Sequence, residues 1–240
     1  MQQPALLLTR PREQAMEFAA KIEARCPGAF SPIAIASMLE IVPEPASPDF
    51  SCCQALLFTS RNGVVQCATR WPERHVPALC VGKATAGLAR EHGYAATSAD
   101  GDVAALASLA VQSYLPGAGT MLHMRGETTA GALTQALVAE GIDASEQIIY
   151  SQKPLPLSDT ARHVISGDGP VVAPVFSPRT AALIAAATEH DQSLGFRNVT
   201  FVALSEAVAR PLRSLGGSKI VVCERPEASS ILDILQAMTG

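Results

Sequence analysis

Short apolar runs alternate along the chain with alanine-rich segments whose apolar residues recur at helical spacing. This alternation is typical of βα units and predicts an α/β fold with mainly parallel sheets. The apolar runs predict strands at 5–9, 55–59, 78–81, 120–124, 171–176, 199–203 and 219–223. The alanine-rich segments predict helices at 12–25, 62–70, 84–92, 102–114, 129–140, 178–189, 205–215 and 228–238.

Two segments interrupt this alternation: PIAIASMLEIVP at 32–43 and EQIIYSQKPLP at 146–156. Each reads as an extended strand that runs into prolines, which favour extended backbone before them and end regular elements. We interpret the two segments as connections that pair side by side into a two-stranded β linker.

The chain also repeats itself. Three segments recur in the same order at nearly one spacing: 57–70 as 175–188, 81–93 as 204–216, and 6–24 as 121–139. The repeat predicts two similar α/β domains. If the linker strands pair, residues 1–35 join 151–240 in one domain and 36–150 form the other. We expect a cleft between two such domains, because clefts at domain interfaces are favoured ligand sites.

Length and charge narrow the range of partners. A chain of 240 residues allows one large domain or two modest ones, and 48% hydrophobic with 17% charged residues is typical of globular proteins. The net charge of −4 and the lack of a basic cluster argue against nucleic acid or an anionic membrane as partner. No apolar stretch approaches the roughly 20 residues that span a bilayer. The start, MQQPALLLTRPREQ, lacks the features of a secretory signal, so we predict a cytoplasmic protein.

Several kinds of catalytic motif are missing. The six cysteines have no C-x-x-C spacing and the five histidines no H-E-x-x-H spacing, so no metal site is predicted. The chain contains no G-x-S-x-G, and its GAGT (117–120) and GGSK (216–219) precede strands instead of joining a strand to a helix. The sequence therefore predicts neither nicotinamide nor nucleophilic-serine chemistry.

Polar residues gather where the predicted strands end. Ligands of open parallel sheets bind outside these carboxyl ends, where helix N-termini offer N–H donors to anions and arginine can grip a carboxylate or phosphate. We therefore predict an anion site built from Thr9, Arg10, Thr59, Ser60, Gly82, Thr85, Arg125 and Ser177. The alternative is that the hydroxyls only cap helices. Tyr150, in the second linker segment, is either a packed strand aromatic or a hydrogen-bond donor and weak acid.

Six segments together resemble the uroporphyrinogen-III synthase family, in that family's order and over nearly the whole chain. They are LLLTRP (6–11), LLFTSRNGV (56–64), VGKATAGLAREHG (81–93), MLHMRG (121–126), EGIDASEQIIYSQKP (140–154) and VFSPRTA (175–181). The resemblance implies two α/β domains on a two-stranded linker and no cofactor. It also implies a lyase that cyclises the linear tetrapyrrole hydroxymethylbilane to uroporphyrinogen III, with inversion of ring D and loss of water.

The resemblance assigns roles to residues as well. It implies that Tyr150 assists departure of the substrate hydroxyl and that Thr59, Ser60, Thr85 and Ser177 line the cleft. Thr9, Arg10 and Arg125 are added because they follow strands. We expect a monomer that receives its substrate by transient hand-over from the bilane-forming enzyme.

The chain departs from the family's frequent I-G-P-T-T-A, because residues 204–209 read LSEAVA. Either Ser205 substitutes for the missing threonine hydroxyls or binding depends on backbone N–H groups. Two alternatives stay open: a degenerate homologue, and a two-domain protein that binds a small polycarboxylate or other anion without catalysis. A sugar- or phosphate-transferring enzyme is less favoured, because its acidic or metal-binding motifs do not occur.

Overall fold

The structure is a computed structural model that describes residues 3–128, 132–190 and 194–239, with the backbone only at 188–190. The chain forms two compact units. We call Met1–Glu40 with Lys153–Gly240 the discontinuous unit, and Ile41–Gln152 the continuous unit.

The strands are β1 (Ala5–Leu8), β2 (Ile33–Ile35), β3 (Leu39–Pro43), β4 (Cys53–Phe58), β5 (Ala78–Cys80), β6 (Ala96–Ser98), β7 (Thr120–Gly126), β8 (Ala144–Pro154), β9 (Val171–Val175), β10 (Val199–Ala203) and β11 (Lys219–Val222). The helices are α1 (Arg12–Arg25), α2 (Arg61–Arg70), α3 (Lys83–Glu91), α4 (Val103–Ser113), α5 (Leu133–Ala139), α6 (Asp159–Ser166), α7 (Pro178–His190), α8 (Glu206–Leu212) and α9 (Ala228–Ala237).

Each unit is built on one sheet. The strand order is β11-β10-β9-β1-β2 in one sheet and β3-β8-β7-β4-β5-β6 in the other. Every pair in the first sheet is parallel, and so are the pairs from β8 to β6 in the second. The predicted α/β fold with mainly parallel sheets is therefore confirmed.

The two linker segments are paired in the structure. β3 and β8 are neighbours in the sheet, and the chain passes from one unit to the other within each of them. The amide of Glu44 donates to the carbonyl of Ile149 at 3.0 Å, and the amide of Leu155 donates to the carbonyl of Met38 at 3.0 Å. The segment 32–43 is not one strand, however, because residues 36–38 separate β2 from β3.

Two further elements were not predicted: the helix α6 and the three-residue strand β6. Some predicted helices are shorter than expected, since 205–215 is reduced to Glu206–Leu212. The predicted helix 129–140 begins at residues that lie outside the described part of the chain, and its described part is Leu133–Ala139.

Both faces of the continuous unit's sheet are covered by apolar contacts. Leu56 and Phe58 of β4 pack in one cluster with residues of α2 and α3, whereas Ala55 and Leu57 pack in another with residues of α4 and α5. Successive side chains of a strand point to opposite faces, so a sheet buried on both sides needs a continuous apolar run. That is why β4 reads ALLF (55–58) before the polar residue Thr59. None of the helices in the described ranges combines the length and the apolarity that crossing a bilayer requires.

Candidate active site

The polar residues that end β4 are directed to different faces of the sheet. The Oγ1 of Thr59 lies 3.1 Å from Nε2 of His123, on the face that packs against α4 and α5. The Oγ of Ser60 lies 2.8 Å from the phenolic oxygen of Tyr150, on the face that packs against α2 and α3. The strand alternation that buries Leu57 and Phe58 on opposite sides continues through these two hydroxyls. Thr59 and Ser60 therefore make two separate contacts at one edge of the sheet.

Tyr150 owes its direction to a β-bulge. Along β7 and β8, Arg125 pairs with Ile148 but Gly126 pairs with Tyr150, so Ile149 is an extra residue. A bulge re-aims the side chains that follow it. Ile149 and Tyr150 both pack in the cluster beside α2 and α3, and the tyrosine is only 4% exposed.

Gly126 makes room for the phenol. A Cβ on this glycine would lie 2.6 Å from Cζ of Tyr150 and 2.9 Å from its oxygen, closer than real side chains approach. The amide of Glu127 donates to the carbonyl of Tyr150 at 2.8 Å, which fixes the tyrosine backbone at the end of β7. The ring is therefore held between Gly126 and Ser60.

Ser60 also begins helix α2. Its Oγ accepts the amide N–H of Gly63 at 3.0 Å, as an N-cap serine does. Gly63 lets this helix lie close to β7, since a Cβ there would come within 2.8 Å of the carbonyl oxygen of Met124. The alternative that Ser60 caps a helix therefore describes a contact that the residue makes, and its second contact is with Tyr150.

Burial dominates the acidity of Tyr150. It raises the pKa of the phenol above the usual 10, while the hydrogen bond with Ser60 lowers it. The phenol is therefore protonated at neutral pH, which suits a hydrogen-bond donor or a weak general acid.

His123 was not singled out by the sequence. It is 2% exposed, and its burial lowers the pKa of the imidazole to about 4. The ring is therefore neutral at physiological pH, and its Nδ1 has no hydrogen-bond partner among the described residues. Histidine in an apolar β-strand gives no periodic signal of its own, so only the pairing of β4 with β7 reveals its contact with Thr59.

Arg125 is largely committed within the continuous unit. Its Nη2 donates to Glu146 at 2.6 Å, and its Nη1 donates to the carbonyls of Gly126 and Glu127 at 2.9 and 3.1 Å. The hydrogen bond from Arg125 is the main cause that holds the pKa of the Glu146 carboxyl below its usual value. These contacts hold the backbone that follows β7 in place, and they compete with the predicted binding of substrate by Arg125.

Helix α3 begins differently from α2. Its N-cap is Gly82, so no side chain in the described residues caps it, and the space where a Cβ of Gly82 would lie is open. Thr85 is buried at 6% exposure, and its amide donates to the carbonyl of Gly82 at 3.1 Å. Of these two predicted residues, Gly82 is the more accessible.

In the discontinuous unit, the ends of β1 and β9 come together. The guanidinium of Arg10 lies 4.1 Å from the ring centroid of Phe176, a cation–π contact, and its Nη2 donates to Gln14 at 2.8 Å. Thr9 is only 1% exposed, and its Oγ1 finds no partner within the described chain. The structure thus places Arg10 beside the segment that leads to Ser177, with Thr9 beneath the surface.

Ser177 and Ser205 precede the next two helices of this unit. The Oγ of Ser177 accepts the amide N–H of Thr180 at 3.1 Å and lies 2.9 Å from the Thr180 hydroxyl. Ser205 is the N-cap residue of α8 but makes no side-chain capping hydrogen bond. The two units therefore repeat one arrangement: Ser60 and Ser177 cap their helices, whereas no side chain of the described residues caps the helices that start after Gly82 and Ser205.

The predicted site residues thus fall into two groups, one at the carboxyl edge of each sheet. Thr59, Ser60, Gly82, Thr85, Arg125 and Tyr150 belong to the continuous unit, and Thr9, Arg10, Ser177 and Ser205 to the discontinuous unit. Within the described ranges, no group of three or more His, Cys, Asp or Glu side chains could hold a metal ion.

Comparison with known proteins identifies the family. A family model described as "Uroporphyrinogen-III synthase HemD" matches residues 18–233. The fold is similar to that of uroporphyrinogen-III synthetase from Helicobacter pylori, with a TM-score of 0.64, 16% identity, and coverage of 98% of this chain and 99% of that one.

A mutant uroporphyrinogen III synthase from Thermus thermophilus is also similar, with a TM-score of 0.51, 15% identity, and 98% of both chains covered. No curated protein sequence matches this chain. The structural likenesses, at such low identity, concern the fold. Because the family model matches nearly the whole length, the chain belongs to the uroporphyrinogen-III synthase family.

Proposed function

We propose that this protein is a lyase that closes hydroxymethylbilane to uroporphyrinogen III with inversion of ring D and loss of water. Its family makes it an enzyme of tetrapyrrole biosynthesis that acts on a small-molecule tetrapyrrole. The family match over residues 18–233 carries the assignment of the reaction. The contact between Ser60 and Tyr150 supports the assignment of its acid.

The reaction begins with departure of the terminal hydroxyl. Tyr150 donates its proton to that hydroxyl as the C–O bond breaks, so water leaves and the pyrrole nitrogen supplies electrons to form an azafulvene. Ring D then attacks through its substituted carbon to give a spiro intermediate, which fragments and recloses at the other carbon. That last closure releases a proton, which restores the phenol.

Binding of the substrate must steer this sequence. The bilane has eight carboxylates and closes unaided to the non-inverted isomer, so orientation by the protein decides which product forms. We propose that Thr59, Gly82, Ser177, Ser205 and Arg10 contact the substrate. The support is their position at the carboxyl edges of the two sheets, where N–H groups, hydroxyls and guanidinium suit carboxylates.

Thr9, Thr85 and Arg125 have weaker support as direct ligands. Thr9 and Thr85 are buried, and Arg125 is bound to Glu146. We propose that these residues support the strand ends that bear the ligands.

We further propose that the protein works as a monomer in the cytoplasm and takes its substrate by transient transfer from the enzyme that makes it. Spontaneous closure of the free bilane gives the wrong isomer, so a short transfer would limit that loss.

The deciding experiment supplies the purified protein with freshly generated hydroxymethylbilane and separates the uroporphyrin isomers after oxidation. We expect isomer III in excess. Isomer I alone, at the rate of a protein-free control, would contradict the proposal and favour a binding protein without catalysis.

Replacement of Tyr150 by Phe tests the acid. We expect the rate of isomer III formation to fall at least about tenfold while circular dichroism shows an intact fold, because general acids contribute rate factors of this order or more. Tyr114→Phe is the matched control, since the Tyr114 hydroxyl contacts only the backbone amide of Asp143 in the contacts described. An unchanged rate in Tyr150→Phe would reduce the phenol to a packing group.

A further inference from the structure

The hydroxyl of Ser60 is used on two sides. Its oxygen accepts the N–H of Gly63 at 3.0 Å and lies 2.8 Å from the oxygen of Tyr150. A hydroxyl has one proton and two acceptor lone pairs, and the helix amide takes one of the lone pairs. What remains is one proton and one lone pair to serve the phenol. Ser60 is therefore engaged with its own helix and with Tyr150.

The direction of the Ser60–Tyr150 hydrogen bond follows from the chemistry asked of Tyr150. A phenol that gives its proton to a leaving hydroxyl becomes a phenolate, which can only accept hydrogen bonds. If Ser60 donates to the phenol oxygen, the phenol proton stays available for the substrate. The same hydrogen bond then becomes stronger as negative charge develops, which is the condition for accelerating the step.

Helix α2 adds to this effect. Its N-terminal N–H groups carry partial positive charge, and the Gly63 amide polarises the serine hydroxyl that it donates to. Gly126 leaves the space that the phenol occupies in this contact, because a Cβ at that position would overlap the ring. The geometry is consistent with the way the Ser60 hydrogen bond opposes the rise that burial causes in the Tyr150 pKa.

We propose that Ser60 is a positioning residue that acts through Tyr150, linking the positive end of α2 to the phenol, and not a direct ligand of the substrate. This inference rests on the proposed synthase function and names the group that tunes its acid. It changes the role that the resemblance gave to Ser60, which was to line the substrate cleft.

The test compares three substitutions at residue 60. Ser60→Ala removes both contacts, whereas Ser60→Thr retains a hydroxyl that can make both. Ser60→Asp retains the helix cap, because aspartate is as good an N-cap as serine, but its carboxylate has no proton to donate to the phenol. Ser158→Ala is the control for loss of a cap, since Ser158 caps α6 through the amide of Ala161 and contacts no tyrosine in the bonds described.

The first measurement needs no substrate. In protein labelled with ¹³C at tyrosine Cζ, the chain gives three tyrosine signals, and Tyr150→Phe identifies the relevant one. We expect the Tyr150 signal to titrate at higher pH in Ser60→Ala and Ser60→Asp than in the wild type, and at the wild-type pH in Ser60→Thr and Ser158→Ala. An unchanged titration in Ser60→Ala and Ser60→Asp would overturn the proposal.

The second measurement is kinetic. We expect kcat in Ser60→Ala to fall roughly tenfold with KM within about twofold of wild type, and Ser60→Thr to restore it. In the Tyr150→Phe background, Ser60→Ala should cause no further loss, because the serine acts through the missing hydroxyl. A raised KM with unchanged kcat, or losses that multiply, would make Ser60 a substrate ligand instead. If the wild type forms only isomer I, the synthase assignment fails, while the titration still reports whether Ser60 tunes the phenol.

Discussion

His123 shows how a single residue can carry a pH dependence. Its ring is buried in the middle of β7 and has one described hydrogen bond, to Thr59. The unfolded chain has no such burial, so its imidazole has the ordinary pKa near 6.5 while the folded one has a pKa of about 4. Protons thus favour the unfolded state between these two values.

We expect the free energy of unfolding to fall as the pH drops from 6.5 towards 4 and to show no further loss from this residue below about 4. The full contribution of His123 to the free energy of unfolding is present above pH 6.5, where the imidazole is neutral in both the folded and the unfolded state. The size of the loss is on the order of 3 kcal/mol, because each unit of difference in pKa corresponds to about 1.4 kcal/mol. Urea unfolding of wild type and His123→Gln across this range checks the expectation.

The matched control is His75→Gln, because His75 is exposed. The wild type should lose more stability over this pH range than His123→Gln does, and His75→Gln should follow the wild type. Identical slopes in all three proteins would show that carboxyl groups, and not His123, cause the loss at acid pH.

Residues such as Ser60 and Tyr150 could be singled out from sequence because each stands where a predicted strand ends or a proline-rich connection begins. Their mutual contact could not, since it depends on the extra residue at Ile149 that shifts the register of β8 against β7. Gly126 was visible only as a glycine after an arginine. Its importance comes from the ring that occupies its missing side chain.

At the scale of elements, the periodicity of the sequence predicted those helices and strands that are long or strongly apolar. The strand β4 and the helix α1 have many residues of one pattern, and both were predicted within two residues of their ends. Helix α6 was missed because its eight residues, DTARHVIS, bury only Ala161 and Ile165. The strand β6 has three residues and no fully buried side chain, so alternation within it carries almost no signal.

Close contact between α2 and β7 predicts a specific effect of Gly63→Ala. The added methyl would lie 2.8 Å from the Met124 carbonyl oxygen, a backbone atom that cannot rotate away. The helix must shift and carry Ser60 with it, so we expect a destabilisation of about 1–3 kcal/mol, as for overpacking in a core, together with loss of turnover. Thermal or urea unfolding and the isomer assay measure the two effects.

Gly87→Ala in α3 is the comparison, since its Cβ would meet no atom of the described residues within 4 Å. There the usual helical preference for alanine should stabilise the protein by about 0.5–1 kcal/mol. If both alanine variants were equally stable, the approach of α2 to β7 would be looser than the structure indicates.

Over the whole molecule, the two sheets follow one plan. β4 lies between β7 and β5, and β9 lies between β1 and β10, as the internal repeat of the sequence requires. The repeat was readable because its segments keep their order and spacing, whereas the placement of β1 beside β9 depends on the chain returning through β8. Sequence patterns therefore predicted the two similar sheets, but the exact strands where the chain changes units came from pairing.

Loss of packing in β1 should consequently destabilise residues 153–240, which belong to the same unit although they are distant in sequence. Leu8→Ala removes a side chain with no exposure from the cluster shared with Val172 and Val202. We expect a cost of roughly 2–5 kcal/mol, and limited proteolysis should then cleave within 153–240 sooner than within 41–152. Leu115→Ala is the control, because Leu115 is 66% exposed. Equal cleavage of both regions in Leu8→Ala would contradict the division into units.

The position of β1 also determines the order in which the two units can be completed during synthesis. Ala5 is synthesised before the continuous unit, whereas its partner Val171 is synthesised only after that unit is complete. At about 5–20 residues per second, β1 and α1 wait on the order of ten seconds with their apolar faces uncovered. The continuous unit can be folded by then, so β1 and α1 must avoid aggregation until the strands of 153–240 leave the exit tunnel. The strand β1 is thus made before the continuous unit but completes its sheet only after it.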